Sequence, residues 1–412
     1  MRVLWLCNAP LIHSDRGVTG TWLGSMAREL LNHKSIELGI IAIASVSHFV
    51  REDYKNVLQW LVPIGRPSTR TGLPSESVVN DIVKAVEQFA PDVIHIWGTE
   101  EYWGLLSVRG LLKYPSLLEI QGLKGEYSKV FYGGLTFMER LRCIGIKELI
   151  KRRTLHTDKH DFALWGTYEE EIIRGHRYID VQSPWVIAHV AALNPTAQLF
   201  PVDLVLREPF YEKNCWQSSC LPTIFCTAAY STPYKGLHVA IRAISLLKKR
   251  IPNIQLRIAG AHQRVGIRQD GYMRWINRLI KKLGLLNAID WLGPLNAQQI
   301  AIELMSASAV VIPTFIETYC MAFAESMRVG APTVISYVAG TPSLAKDEES
   351  CLYFSAGDVS MCAYQLERIL TDPNLARRLS HEAKKIAVVR NDPLKIVQRQ
   401  LEIYRQVAGL DK

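Results

Sequence analysis

No two of the eight cysteines form a C-x-x-C pair: Cys7, Cys143, Cys215, Cys220, Cys226, Cys320, Cys351 and Cys362 are scattered along the chain. That spacing argues against a zinc site and a disulfide framework and fits a reduced cytosol. No stretch approaches the roughly 18 consecutive apolar residues of a membrane span, since 36–50 and 305–316 are interrupted by Ser, Pro or charge. Low-complexity tracts and fixed-period repeats are also missing, which excludes disordered and solenoid classes. The opening MRVLWLCNAPLI has one charge and a short apolar run. It lacks a small-x-small cleavage site and leads into a Gly-bearing loop, so we read it as a first strand, not a signal peptide.

What is present is a 412-residue chain, 48% hydrophobic and 21% charged, too long for one core and expected to form two domains. The net charge of +9 favours acidic partners, whether nucleotides, phospholipid surfaces or nucleic acids. No basic-aromatic motif stands out, so nucleic acid is not expected. Short apolar runs alternate with helical patterns at 2–7, 20–32, 36–44, 76–89, 93–97 and 116–120. From 134 to 215 the chain reads as mainly helical and basic, with weak strands at 161–165, 178–182 and 198–200. Past it the alternation restarts, from strand 223–229 to helix 374–388. The expected fold class is therefore α/β, two doubly wound domains facing a cleft. The boundaries fall at 1–205, a crossing segment 206–220, a second domain 221–388, and a terminal helix 389–412 able to pack back on the first domain.

The most informative stretch is VVIPTFIETYCMAFAESMRVGAPTVIS at 310–336. At about 100° per residue, eight positions bring Glu325 to within roughly 80° of Glu317, two turns further along a helix. Carboxylates suit sugar hydroxyls because they accept charge-assisted hydrogen bonds. Taken alone, such a pair reads as a helix cap and a solvated residue. Lys235-Gly236 lies in the loop after the second domain's first strand, where a compact cation can reach a diphosphate. Taken alone, it reads as a surface lysine near a turn.

The order Thr232-Pro233-Tyr234-Lys235-Gly236, Leu256 to Gly260, Ile289 to Gly293, Pro313 to Glu317, Glu325 and Gly330-Ala331-Pro332 resembles the catalytic domain of glycosyltransferase family 4, the retaining transferases of the GT-B fold. The first half resembles that family's acceptor domain less tightly, at Gly20 to Gly24, Pro91 to Gly98 and Arg207 to Tyr211. The resemblance implies a retaining, hexosyltransferase-type enzyme. It would move a sugar from a nucleotide diphosphate sugar to a glycan or lipid-linked acceptor, in cell-surface polysaccharide synthesis. It implies a donor site of Gly20, Lys235, Glu317, Thr318, Tyr319, Cys320, Met321 and Glu325, with Lys235 and Glu317 catalytic and Glu325 on the nucleotide ribose. The nucleotide-sugar is the co-substrate and no cofactor is implied.

The departures are specific. Tyr230 stands where the family carries a phosphate-binding arginine, leaving Lys235, amides and a cation such as Arg264 or Arg268. Glu317-Thr318-Tyr319-Cys320 loses both glycines of E-G-F-G, which is tolerable if its backbone keeps ordinary φ values. Gln121 replaces a histidine beside the reacting sugar; it is an acceptor-side candidate that cannot act as a base, so the leaving phosphate would take the acceptor's proton. No D-x-D occurs, so metal is not expected, and His156 with His160 lack a third ligand. Basic residues at 139–153, read as one helix without a clean amphipathic stripe, are candidates to touch an anionic membrane surface from the cytoplasmic side. Two alternatives share the architecture: a nucleotide-sugar epimerase, for which His95 is the candidate base, and a non-catalytic nucleotide-sugar-binding protein.

Overall fold

The computed structural model describes residues 1–11, 22–212, 215–217, 221–228, 232–260 and 269–410. The first domain is built on β1 Arg2–Cys7, β2 Glu37–Ala44, β3 Val50–Tyr54, β4 Val57–Pro63, β5 Val93–Trp97, β6 Ser116–Glu119, β7 Tyr178–Val181 and β8 Gln198–Pro201. They form one sheet in the order β3-β4-β2-β1-β5-β6-β7-β8. Every pairing is parallel except β3 with β4. Parallel strands are covered on both faces, which is why β1 and β5 are nearly all apolar. One face packs Leu4, Ile94 and Ile96 against Ile82 and Phe89. The other packs Val3, Trp5 and Trp97 against Ile396, Leu401 and Tyr404 of the terminal helix Pro393–Val407.

The second domain holds β9 Thr223–Ala228, β10 Gln255–Gly260, β11 Ile289–Gly293, β12 Ala309–Ile312, β13 Thr333–Ser336 and β14 Leu352–Phe354, in the order β11-β10-β9-β12-β13-β14. All its pairings are parallel. The strand order reverses between β9 and β12, and in open α/β sheets the carboxyl ends at such a point form a crevice. Lys235 follows β9 and Glu317 follows β12, so the topology alone brings both residues to that crevice.

The segment after β8 is shared between the domains. Val202 and Val205 pack with the first domain's core, while Leu204, Leu206 and Phe210 pack with the second's. Two expectations are corrected and one hairpin is added. Residues 161–165 lie inside the helix Leu155–Gly175, started by the Thr154 capping box, and the buried residues Gly166, Glu169, Ile172 and Ile173 follow helical spacing. The hairpin β3–β4 goes unread in the sequence; its turn residues Lys55 and Asn56 have φ of 49° and 65°, the left-handed pair that a two-residue hairpin turn requires. The basic segment at 139–153 is two short helices, Phe137–Arg142 and Ile146–Lys151, the second starting after extended Gly145.

Candidate active site

A cavity of about 350 Å³ lies between the domains, with Lys235, Glu317, Thr318, Cys320, Met321, Glu100, Gln121 and Gln182 in its wall. Its second-domain side is positioned by backbone. Gly236 has φ 72°, and a Cβ there would sit 1.8 Å from the Pro313 carbonyl oxygen, so only glycine lets the β9 and β12 loops meet so closely. The Phe315 amide donates to the Tyr234 carbonyl at 2.8 Å, and the Gly340 amide to the Glu317 carbonyl at 2.8 Å. Across this joint Lys235 Nζ donates to Glu317 Oε1 at 2.6 Å. Burial disfavours the Lys235 ammonium, but the neighbouring Glu317 carboxylate outweighs it and holds the amine above its usual range.

The first-domain side comes from loops after β5, β6 and β7. Gly98, with φ 100°, and Gly122 flank the Glu100 side chain; a Cβ on either would lie 2.1 Å and 2.7 Å from its carboxylate oxygens. Burial pushes the Glu100 carboxyl up to about 7, with Lys124 opposing and Glu101 adding to the shift. Glu100 Oε2, Gln121 Nε2 and both polar side-chain atoms of Gln182 are buried without a hydrogen-bond partner. Buried polar atoms are rarely left unpaired, so a wall with four of them is made for a polar ligand. Sequence reasoning missed Glu100 and Gln182. The signal for Glu100 was Gly98-Thr99-Glu100 directly after β5, a fully buried strand whose one polar residue is His95, at the ligand-binding end of the sheet.

The loop at Thr318 joins the domains. Its Oγ1 donates to the Gln121 carbonyl, and its own carbonyl accepts from Ser183 Oγ at 2.9 Å. Tyr319 turns its buried ring into the second domain's core and accepts from Asn391 Nδ2 at 2.8 Å. The helix starts only at Met321, so the helical-wheel relation between Glu317 and Glu325 does not hold. Glu325 is 3% exposed and absent from the cavity wall. Its Oε1 and Oε2 accept from Arg207 Nε and Nη2 at 2.6 and 2.7 Å, so the carboxylate expected on the donor's ribose is engaged by a guanidinium in this structure. Gly20, Tyr230, Arg264 and Arg268 lie outside the described residues.

Ordinary φ values are not kept at Cys320, which has φ 71° and ψ 74°. A non-glycine residue there costs about 1 kcal/mol. Cys320→Gly is therefore expected to exceed Cys320→Ala in unfolding free energy by about 1 kcal/mol, because both lose the buried thiol and only alanine keeps the strain. Paired denaturant melts check this, and a less stable glycine variant would count against strain at this turn.

His95, the candidate base of the epimerase reading, is not in the cavity. It is fully buried under the terminal helix, 2.7 Å from the Tyr404 hydroxyl, and burial lowers its pKa well below the usual range. Its ring, Glu119 and Asp180 place ligand-type atoms within 4.8 Å of one another. Burial raises the carboxyls of Glu119 and Asp180, the latter to about 7. Burial thus disfavours charge on all three groups, and the terminal helix is tied to them by Gln400 Nε2, which donates to Asp180 Oδ2 at 3.0 Å. Among the described residues no helix is long and apolar enough to cross a membrane.

Residues 221–386 match the family model for glycosyl transferases group 1. Over 175 residues the chain is 27% identical to an uncharacterized glycosyltransferase of Methanocaldococcus jannaschii, covering 42% of each protein. Over 151 residues it is 28% identical to the glycogen synthase of Mycobacterium tuberculosis, covering 37% of this chain and 34% of that one. The match thus spans well under half the length of these curated relatives. Among solved structures, sucrose-phosphate synthase from Thermosynechococcus elongatus superposes over 100% of both chains with a TM-score of 0.74 at 17% identity. Anabaena HepE, solved with UDP-glucose, covers 99% of this chain and is itself covered 100%, with a TM-score of 0.66 at 13% identity. The chain therefore has the two-domain fold of GT-B glycosyltransferase structures, and its second domain carries the group 1 glycosyl transferase pattern.

Proposed function

We propose that this protein is a metal-independent, retaining, hexosyltransferase-type glycosyltransferase that takes its sugar from a nucleotide diphosphate donor. The observation that carries the reading is the Lys235–Glu317 pair facing the unpartnered Glu100 Oε2, Gln121 Nε2 and Gln182 side-chain amide across one cavity. Lys235 and the first-turn amides at Met321 and Ala322 supply positive charge for the leaving diphosphate. Glu317 accepts from the sugar's hydroxyls, and the first-domain wall receives the acceptor. The acceptor is a glycan or a lipid-linked sugar in surface polysaccharide synthesis, met on the cytoplasmic side, and the region around 139–153 rests against an anionic membrane.

Screening purified protein against a panel of nucleotide-sugars for thermal stabilisation tests the donor, because a ligand bound only by the native state raises its melting temperature. Stabilisation by at least one donor, and donor consumption that accelerates with acceptor, is expected. No stabilisation by any member counts against the reading, and interconversion of the donor's sugar without acceptor would make the protein an epimerase.

Glu100 extends the proposal. Since its carboxyl titrates near 7, it ionises as pH rises through neutrality and can then accept the acceptor hydroxyl's hydrogen bond. Activity is expected to climb through that window and level off above it. Glu100→Gln should lower kcat by about 10- to 100-fold and remove the step. An unchanged pH profile in that variant would assign the step to another group, such as Glu169, whose carboxyl burial raises to about 8.

A further inference from the structure

The segment from Phe137 to Lys151 is built inside out. It leaves the first domain after the helix Lys124–Val130 and lies as a strap across the second domain. Its acids point inward. Glu139 pairs with Arg242, and Glu148 accepts from the Gly271 amide at 3.0 Å and from Arg274 Nη2 at 2.9 Å. Its large apolar side chains point outward: Phe137 is 64% exposed, Leu149 65% and Ile150 73%, with Met138 and Ile146 also exposed. Water-facing helices normally show the opposite pattern, so this outer face has a use other than solvation.

The charges beside it are equally one-sided. Arg142, Lys151 and Arg152 are exposed, and no ion pair is recorded for them among the described residues. Next to the first strap helix lies a pocket of about 760 Å³ with Arg142, Arg242, Arg278 and Lys282 around it and Trp275 and Leu279 in its apolar wall. Its single carboxylate, Glu139, is already taken by Arg242. The three other cations, Arg142, Arg278 and Lys282, over an apolar wall match a phosphate that carries a hydrocarbon tail.

We propose that the strap is a docking site for an anionic phospholipid bilayer: its apolar outer side chains enter the acyl boundary and a headgroup phosphate settles in the Arg142–Arg278–Lys282 pocket. This rests on the membrane contact proposed above and deepens it from surface attraction to insertion with a headgroup site. A second copy of the chain fits less well, since a two-fold interface would set cation against cation. Apolar insertion is insensitive to salt, whereas the cations' share is screened. The two contributions can therefore be separated.

The test is co-sedimentation with vesicles of phosphatidylcholine containing phosphatidylglycerol, against phosphatidylcholine alone. The wild type is expected to sediment with the anionic vesicles only. Leu149→Ser/Ile150→Ser should cut partitioning at least tenfold at low and high salt. Arg278→Glu/Lys282→Glu should cut it at low salt and weaken its salt dependence, with Arg142, Lys151 and Arg152 left in place. Retained thermal stabilisation by the nucleotide-sugar donor shows that each variant is folded. No sedimentation of the wild type, or unchanged partitioning in both variants, overturns the inference and leaves the donor reading intact. Loss of a dimer on gel filtration in the Leu149/Ile150 variant, with vesicle binding unchanged, would make the face a self-association surface. Glycerol phosphate that binds in the pocket while the apolar variant still sediments would make it a soluble-phosphate site. A negative donor panel with vesicle binding intact would strike the proposed reaction alone.

Discussion

Arg207→Ala is expected to lower the unfolding free energy by about 3–5 kcal/mol, the typical cost of removing one partner from a buried, two-point ion pair. Glu325 keeps 3% of its surface exposed, and both of its carboxylate oxygens are occupied by this one guanidinium. Water has little access to replace the lost partner. The damage would fall where the domains are joined, since Arg207 lies between Leu206 and Phe210, which pack into the second domain, and stacks over Phe210 at 5.3 Å. Arg207→Lys should recover only part of the loss, because an ammonium cannot match the carboxylate at two points. The double variant Arg207→Met/Glu325→Leu should recover most of it, because no charge is then left buried. Thermal and denaturant unfolding of the three proteins measures this. A loss under 1 kcal/mol in Arg207→Ala would mean that Glu325 finds another partner, and its assignment as a structural carboxylate would fall.

That pair also shows where the sequence stops being readable. Arg207 and Glu325 stand 118 positions apart, and nothing in either segment announces the other. By contrast, the inner strands β9, β12 and β13 of the second domain are written as largely apolar runs because helices cover both faces of a parallel sheet. Once their order is known, the β9 and β12 loops are fixed at the crevice with Lys235 and Glu317 in them. The first domain was harder to read because its loops carry the information. Glu100 has no motif around it, only two glycines that make room for its carboxylate. The strap misled for a different reason. Its acids and apolar residues have the composition of an ordinary basic helix, and only packing against Arg242 and Arg274 shows that the acids face in. Cys320 is a case of local chemistry overruled by the fold: the turn needs a left-handed residue, and the sequence supplies one that resists it.

Lys235→Ala should lower turnover by about 30- to 900-fold, equivalent to about 2–4 kcal/mol of transition-state stabilisation, with a smaller change in donor affinity. The reasoning is electrostatic. The ammonium is half-buried beside Glu317 and held charged by it, so it is a fixed cation whose position needs no reorganisation when the leaving diphosphate gains charge. Such a group acts more on the transition state than on the bound donor. Glu317→Ala should cost a similar amount, for two reasons: a sugar contact is lost, and Lys235 loses the partner that positions it at 2.6 Å. Because each residue places the other, the double variant should cost clearly less than the sum of the single ones. Single-turnover measurements with the donor identified by thermal stabilisation would supply the cycle. Strict additivity would show that Lys235 and Glu317 act on separate parts of the donor. Near-wild-type turnover in Lys235→Ala would move the diphosphate's counter-charge elsewhere in the crevice.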